Sequence, residues 1–129
     1  MIVNILRFAF RPGTTKERQS EVLAAMRRTA SVESAEYGTV GRDLGDPAEG
    51  FSHAYCVGVA DLDALERYLY DPVHLAGDDD ILPYVTRLSA VRFTDDPDPA
   101  VGAGMAALVQ AKLAAYPEWA RQLDEAARR

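Results

Sequence analysis

Residues Ile2 to Phe10 carry β-forming side chains in a run too short for a typical free-standing helix. In a strand, Ile2, Asn4, Leu6, Phe8 and Phe10 share one face, and Val3, Ile5, Arg7 and Ala9 the other. Asn4 is the only polar side chain on its face. Pro12-Gly13 ends the strand, and Thr14-Thr15-Lys16-Glu17 has the form of a capping box, which predicts Thr14 as the cap of a helix running to about Ala30. Val22, Met26 and Ala30 recur there at helical spacing, with Arg18, Glu21, Arg27 and Arg28 largely off the stripe. A second strand is expected over Ala35 to Asp43, weakened by Gly38 and Gly41, and a third over Phe51 to Val59. In the third, Phe51, His53, Tyr55, Val57 and Val59 point one way. Asp61 is placed to cap a second helix through Leu62, Leu65 and Leu69, and Asp71-Pro72 starts a further short one. Arg87 to Thr94 alternates Leu88, Ala90 and Arg92 against Ser89, Val91 and Phe93, which predicts a fourth strand.

The order β-α-β-β-α-β over residues 1–94 is the split βαβ arrangement of ferredoxin-like folds, an α+β class. A four-stranded sheet of this kind has helices on one face and leaves the other needing cover if it is apolar. Phe8, Phe10, Phe51, Tyr55 and Val57 supply much apolar surface, and a second copy of the chain could cover it, which predicts a homodimer. Beyond the charged, proline-rich linker Asp95-Asp96-Pro97-Asp98-Pro99, residues 95–129 form an extension. Met105, Leu108, Val109, Leu113 and Tyr116 recur at helical spacing, and Pro117 separates them from Trp119 and Leu123. Two docked helices are therefore expected, with the partner subunit favoured as their seat.

Composition narrows the partners. The chain has 129 residues, is 48% hydrophobic and 26% charged, and carries a formal net charge of −6. That sign opposes phosphate binding, so nucleic acid is not an expected partner. A single cysteine excludes an intrachain disulfide framework. No apolar run approaches a membrane span, and the apolar start, interrupted by Arg7, does not read as a signal peptide, so a cytoplasmic protein is expected.

Candidate chemistry rests on the two histidines, His53 and His74. His74 falls in the first turn of the helix begun by Pro72, just after Tyr68 and Tyr70. A helix dipole favours the neutral imidazole at such a place, able to accept a proton, and a tyrosine hydroxyl can donate to a developing oxyanion. Against this stand plainer roles: His53 as a hydrogen-bonded structural histidine, Tyr68 and Tyr70 as interface wedges. Asp78-Asp79-Asp80 reads as a solvated loop rather than a metal site, and Cys56 as buried rather than reactive. No zinc, dinucleotide or Walker motif occurs, so neither metal nor cofactor is called for.

The opening strand with F-A-F-R-P-G-T, the strand F-S-H-A-Y-C-V, the segment Y-L-Y-D-P-V-H and the closing R-L-S-A-V-R-F together resemble the stress-responsive A/B barrel (Dabb) family over residues 1–94. The resemblance implies a dimeric α/β barrel. The family includes olivetolic acid cyclase, which performs an aldol condensation on a polyketide without a cofactor. By that resemblance His74 in D-P-V-H stands as the base, Tyr68 assists, and His53 is a further pocket histidine, while Asn4 occupies the position of a first-strand histidine. Asn4, Phe8, Phe10, Tyr55, Tyr70 and Tyr84 are the expected substrate-binding side chains. The leading expectation is a cofactor-independent, polyketide cyclase-like enzyme acting on an aromatic or other hydrophobic small molecule. A non-catalytic, ligand-binding stress-responsive dimer and a haem-handling monooxygenase-like barrel, with His53 or His74 as axial ligand, are the alternatives.

Overall fold

The computed structural model describes residues 1–129. Four strands, β1 (Ile2–Phe10), β2 (Ala35–Arg42), β3 (His53–Val59) and β4 (Val85–Thr94), form one antiparallel sheet in the order β2-β3-β1-β4. Helix α1 (Lys16–Ala30) follows β1, and α2 (Leu62–Leu69) and α3 (Pro72–Ile81) follow β3. The chain ends in α4 (Pro99–Ala115) and α5 (Pro117–Arg128).

Local chemistry explains most element boundaries. Asp61 accepts from the Ala64 N–H to cap α2, and Asp71 accepts from the Val73 N–H with Pro72 in the first turn of α3. The cap of α1 is Thr15, not Thr14: Thr15 Oγ1 accepts from the Arg18 N–H at 3.1 Å, while the Thr14 hydroxyl donates to the Arg11 carbonyl. Strand β3 starts at His53, later than Phe51, although Ser52 still donates its N–H to the Phe8 carbonyl of β1 and accepts from the Asp43 N–H. Gly38 lies directly under Ala30, where any Cβ would collide with the last turn of α1, so the glycine sets how closely that helix seats on β2.

Register fixes which face is which. Asn4 lies opposite Val57 on one side and Arg92 on the other, so Ile2, Asn4, Leu6 and Phe8 share a face with Tyr55, Val57 and Val59 of β3 and Leu88, Ala90 and Arg92 of β4. This is the face that α1–α3 cover. Phe8 is fully buried, and Tyr55 and Val57 are nearly so. The expectation that these side chains lie on the uncovered face is thus corrected: their apolar surface is satisfied within the chain. The open face carries Tyr37, Cys56, Ser89, Val91 and Phe93, with Val91 55% and Phe93 52% exposed. Arg7, also on that side, holds the loop before β3 through Asp43 (2.7 Å) and Glu49 (2.8 Å) and lies over the Phe51 ring.

The extension packs on its own chain, where the sequence reading favoured a partner. Helix α4 lies against α2, and α5 against the start of β4. Ala126 is fully buried, and Met105, Leu108, Val109, Trp119 and Leu123 pack on the core. The Arg87 N–H and the Thr86 hydroxyl both donate to the Arg129 carbonyl, and the Arg129 guanidinium donates to the carbonyls of Leu82 and Val85 at 3.0 Å each. Helix α5 therefore meets β4 where that strand has a bulge and Arg87 takes a positive φ of 55°. No helix is long and apolar enough to cross a membrane.

Candidate active site

A cavity of about 100 Å³ lies between the sheet, α1–α3 and the two C-terminal helices. Its wall is mostly apolar, from Ile2 and Leu6 to Leu88, Met105, Val109 and Leu123, with a few polar groups: Asn4, Thr29, Tyr55, Tyr68, His74, Asp78 and Arg92. An apolar hollow with a few placed polar groups is the usual form of a small-molecule site. Tyr68 and His74 converge because α2 ends at Tyr70 and α3 restarts at Pro72, turning the chain between them. The two rings meet edge to face with centroids 4.9 Å apart. Across the cavity, the Tyr55 and Tyr68 hydroxyls share a 2.5 Å hydrogen bond.

Burial dominates the electrostatics. It pushes Tyr55 up to about 12 and Tyr68 further above its ordinary value, so both stay protonated hydrogen-bond donors. His74 is the centre of a second cluster. Its Nδ1 lies 3.3 Å from Asp78 Oδ2 and 3.2 Å from Lys112 Nζ, and Nζ is 3.9 Å from the same carboxylate oxygen. Lys112 is 0% exposed and sits over the Trp119 ring at 4.0 Å. Burial lowers it to about 8, with Asp78 opposing the shift.

These two neighbours of Nδ1 cannot both be satisfied at once. With its proton on Nδ1, His74 donates to Asp78 and Nε2 offers a lone pair to the cavity. With its proton on Nε2, Nδ1 accepts from the Lys112 ammonium and Nε2 is a donor. The cluster therefore holds two tautomers, a base and an acid, against two fixed partners.

Of the residues singled out in the sequence, Asn4, Tyr55, Tyr68 and His74 line the cavity together. His53 does not. It stands at the start of β3, its ring stacked on Phe8 (5.8 Å) and edge-on to Phe10 (5.2 Å), with Nδ1 2.9 Å from Ser52 Oγ. Burial, and then the charges of Arg42 and Lys16, lower its pKa. Phe8 and Phe10 belong to this separate aromatic cluster. Tyr70 packs on Tyr116 at 6.1 Å, and Tyr84 lies under the Arg18 guanidinium, so neither reaches the cavity wall. Asp78 and Lys112, which meet at His74, are polar side chains the sequence reading passed over. Asp78 is in helix α3, four residues after His74 and so on its face, rather than in a solvated loop. Lys112 interrupts the apolar stripe Met105, Val109, Tyr116, and a lone lysine on a buried stripe was the signal available.

A four-stranded antiparallel sheet with helices over one face and a cavity beneath them defines an α+β protein of ferredoxin-like class. The model of the stress responsive A/B barrel domain (Dabb) matches residues 2–95, and the chain belongs to that family. A dimeric ferredoxin-like protein of unknown function from Thermobifida fusca is similar at 24% identity and a TM-score of 0.64, over 72% of this chain and 89% of that one. The hydroxynitrile lyase of Passiflora edulis is similar at 17% identity and 0.66, over 75% and 94%. A cofactor-independent oxygenase from Streptomyces nogalater follows at 18% and 0.55, over 76% and 95%. No curated protein matches the chain. Likeness at these identities carries the fold alone.

Proposed function

We propose that the chain is a cofactor-independent acid–base catalyst that removes a proton next to a carbonyl on a small, largely apolar substrate. The observation that carries this reading is His74 at an apolar cavity wall, with Nδ1 held by Asp78 and its ring against Tyr68. In the tautomer held by Asp78, Nε2 takes the proton from the substrate carbon. The electron pair of that C–H bond moves onto the carbonyl oxygen, and a tyrosine hydroxyl of the Tyr55–Tyr68 pair donates to the oxygen as it gains charge. Return of the proton to carbon, or attack of the enolate on a second carbonyl within the same substrate, completes exchange or an aldol-type ring closure. The second outcome is the cyclase-like one.

Size limits the substrate. A cavity of about 150 Å³ holds benzene, so about 100 Å³ suits a fragment up to one ring only if the wall yields or the ligand extends out of the opening. The same limit argues against a haem macrocycle. Two similar structures, a hydroxynitrile lyase and a cofactor-independent oxygenase, support small-molecule chemistry on this fold. The dimer described for the Thermobifida protein supports a homodimer here, joined through the open sheet face.

The test is loss of the α-proton signal of ethyl benzoylacetate and propiophenone in D₂O, followed by NMR. Exchange above the buffer rate that falls by about 100-fold or more in His74→Ala supports the reading, since a positioned acid–base group contributes that much. Equal exchange in the two proteins removes it, and retained binding of the ketones would then favour a binding protein.

A further inference from the structure

Within an acidic chain, the cavity has the opposite charge. The protein carries a net −6, yet the cavity wall contains one carboxylate, Asp78, and one permanent cation, Arg92, with Lys112 adding a second cation behind Asp78. One positive charge is left uncompensated. Arg92 is the source of the excess, because none of the chain's ion pairs includes it. Every other charged group facing the cavity has an internal partner.

Arg92 also has an unusual neighbour. It lies directly across the strand pair from Asn4, on the same face, where opposed side chains stand about 5 Å apart. The Asn4 Oδ1 atom is buried and has no hydrogen-bond partner. An orphaned buried acceptor costs about 1–3 kcal/mol, which a protein tolerates where a ligand supplies the donor. Arg92 reaches the exposed rim of the cavity, so a charged group there need not be stripped of all its water. It is near enough to Tyr68 for its charge to offset part of the burial felt by that hydroxyl.

We propose that the ligand is a small carboxylate, its anion paired with Arg92 at the rim and a hydroxyl or N–H of the same molecule donating to Asn4 Oδ1 inside. A planar guanidinium with no internal counter-ion is the side chain best suited to grip a carboxylate through two parallel hydrogen bonds. The apolar remainder lies along Leu6, Val57 and Leu88, which brings the carbon skeleton towards Tyr68 and His74. The inference rests on the cavity being a ligand site, as in the function proposed above, and not on the proton transfer itself.

Benzoate, its neutral isostere benzamide and 3-hydroxybenzoate test it, titrated into the full-length protein and followed by calorimetry and ¹⁵N–¹H NMR. Wild-type protein should bind benzoate at least tenfold more tightly than benzamide. Arg92→Met should remove that preference while leaving benzamide affinity within twofold, and Arg92→Lys should restore part of it. The added hydroxyl of 3-hydroxybenzoate should shift the Asn4 side-chain amide signal and tighten binding, a gain lost in Asn4→Leu. Equal affinities for benzoate and benzamide in the wild type, or a preference that survives Arg92→Met, would overturn the assignment. If the methionine variant fails to fold, the wild-type preference and the lysine variant decide. Benzoate binding without ketone exchange would sink the proposed function and leave this inference standing. Ketone exchange with no preference for the anion would do the reverse.

Discussion

The Lys112 ammonium lies 3.2 Å from His74 Nδ1, although 38 residues separate them and only His74 falls within the matched family domain. The C-terminal extension thus covers the cavity and also places a charge on the side chain proposed as base. Because the ammonium donates to Nδ1, charged Lys112 favours the tautomer in which Nε2 carries the proton and cannot accept one.

This sets a pH dependence. Burial lowers Lys112 to about 8, so raising the pH through that value removes the charge that holds Nδ1 as an acceptor and lets Nδ1 carry the proton and donate to Asp78. Proton exchange on ethyl benzoylacetate, corrected for the buffer rate, should climb between pH 7 and 9. In Lys112→Met the climb should vanish and the rate at pH 7 should exceed wild type. A variant slower than wild type at every pH would show that Lys112 assists the base rather than restrains it.

The same lysine makes a stability prediction. Its folded value of about 8 lies below the unfolded 10.5, so between them the unfolded chain holds the extra proton and stability rises with pH. Below about pH 8 both states are protonated and the full burial cost applies, on the order of 3 kcal/mol for a shift of this size. The contacts to His74 and Trp119 offset part of it, so Lys112→Met should stabilise the fold at pH 7 by about 2 kcal/mol. Urea denaturation at pH 7 and 9.5 measures this, and the gain should shrink at the higher pH.

Tyr55 and Tyr68 should be energetically coupled. Replacing either one with phenylalanine leaves the other phenol buried without its partner, costing about 1–3 kcal/mol. The double variant should lose clearly less than the two single losses combined, by at least ~0.5 kcal/mol in a denaturant cycle. Additive losses would mean that each hydroxyl finds another partner.

The open sheet face should join two copies. Phe93→Glu or Val91→Lys places a charge in what would be a dry interface, and should give a monomer by sedimentation velocity at about 10 µM where the wild type is a dimer. A monomeric wild type at that concentration would contradict the proposed dimer.

Truncation after Thr94 should lower Tm by the same amount at any protein concentration, because α4 and α5 dock on their own chain. A fall that grows on dilution would instead place the extension across the subunit boundary.

Element order was readable because each boundary has a local cause. Asp61 and the Asp71-Pro72 pair act within a few residues of themselves, and Tyr68 and His74 meet because of the break between them. What could not be read were choices between equivalent local options. Thr14 and Thr15 are both competent caps, and the turn at Arg11 decides between them. Both faces of β1 are apolar, so alternation could not say which one the helices would take. His53 lay on the correct face but too far along it, and only the register of β3 against β1 shows that Phe8 rather than the cavity is its neighbour. Lys112 and His74 meet by tertiary docking, which no spacing records.

The docking of Arg129 on the bulge in β4 also bears on solubility. Strand β4 lies at the edge of the sheet, where unpaired backbone groups can recruit a strand from another molecule. The Arg129 carbonyl occupies the Arg87 N–H and the Thr86 hydroxyl, and its guanidinium occupies the Leu82 and Val85 carbonyls. The first third of the edge is therefore closed to a newcomer, and the bulge turns the remainder out of line with it. Without the Arg129 contacts the cavity would remain, yet the sheet would present a longer free edge and a greater tendency to aggregate.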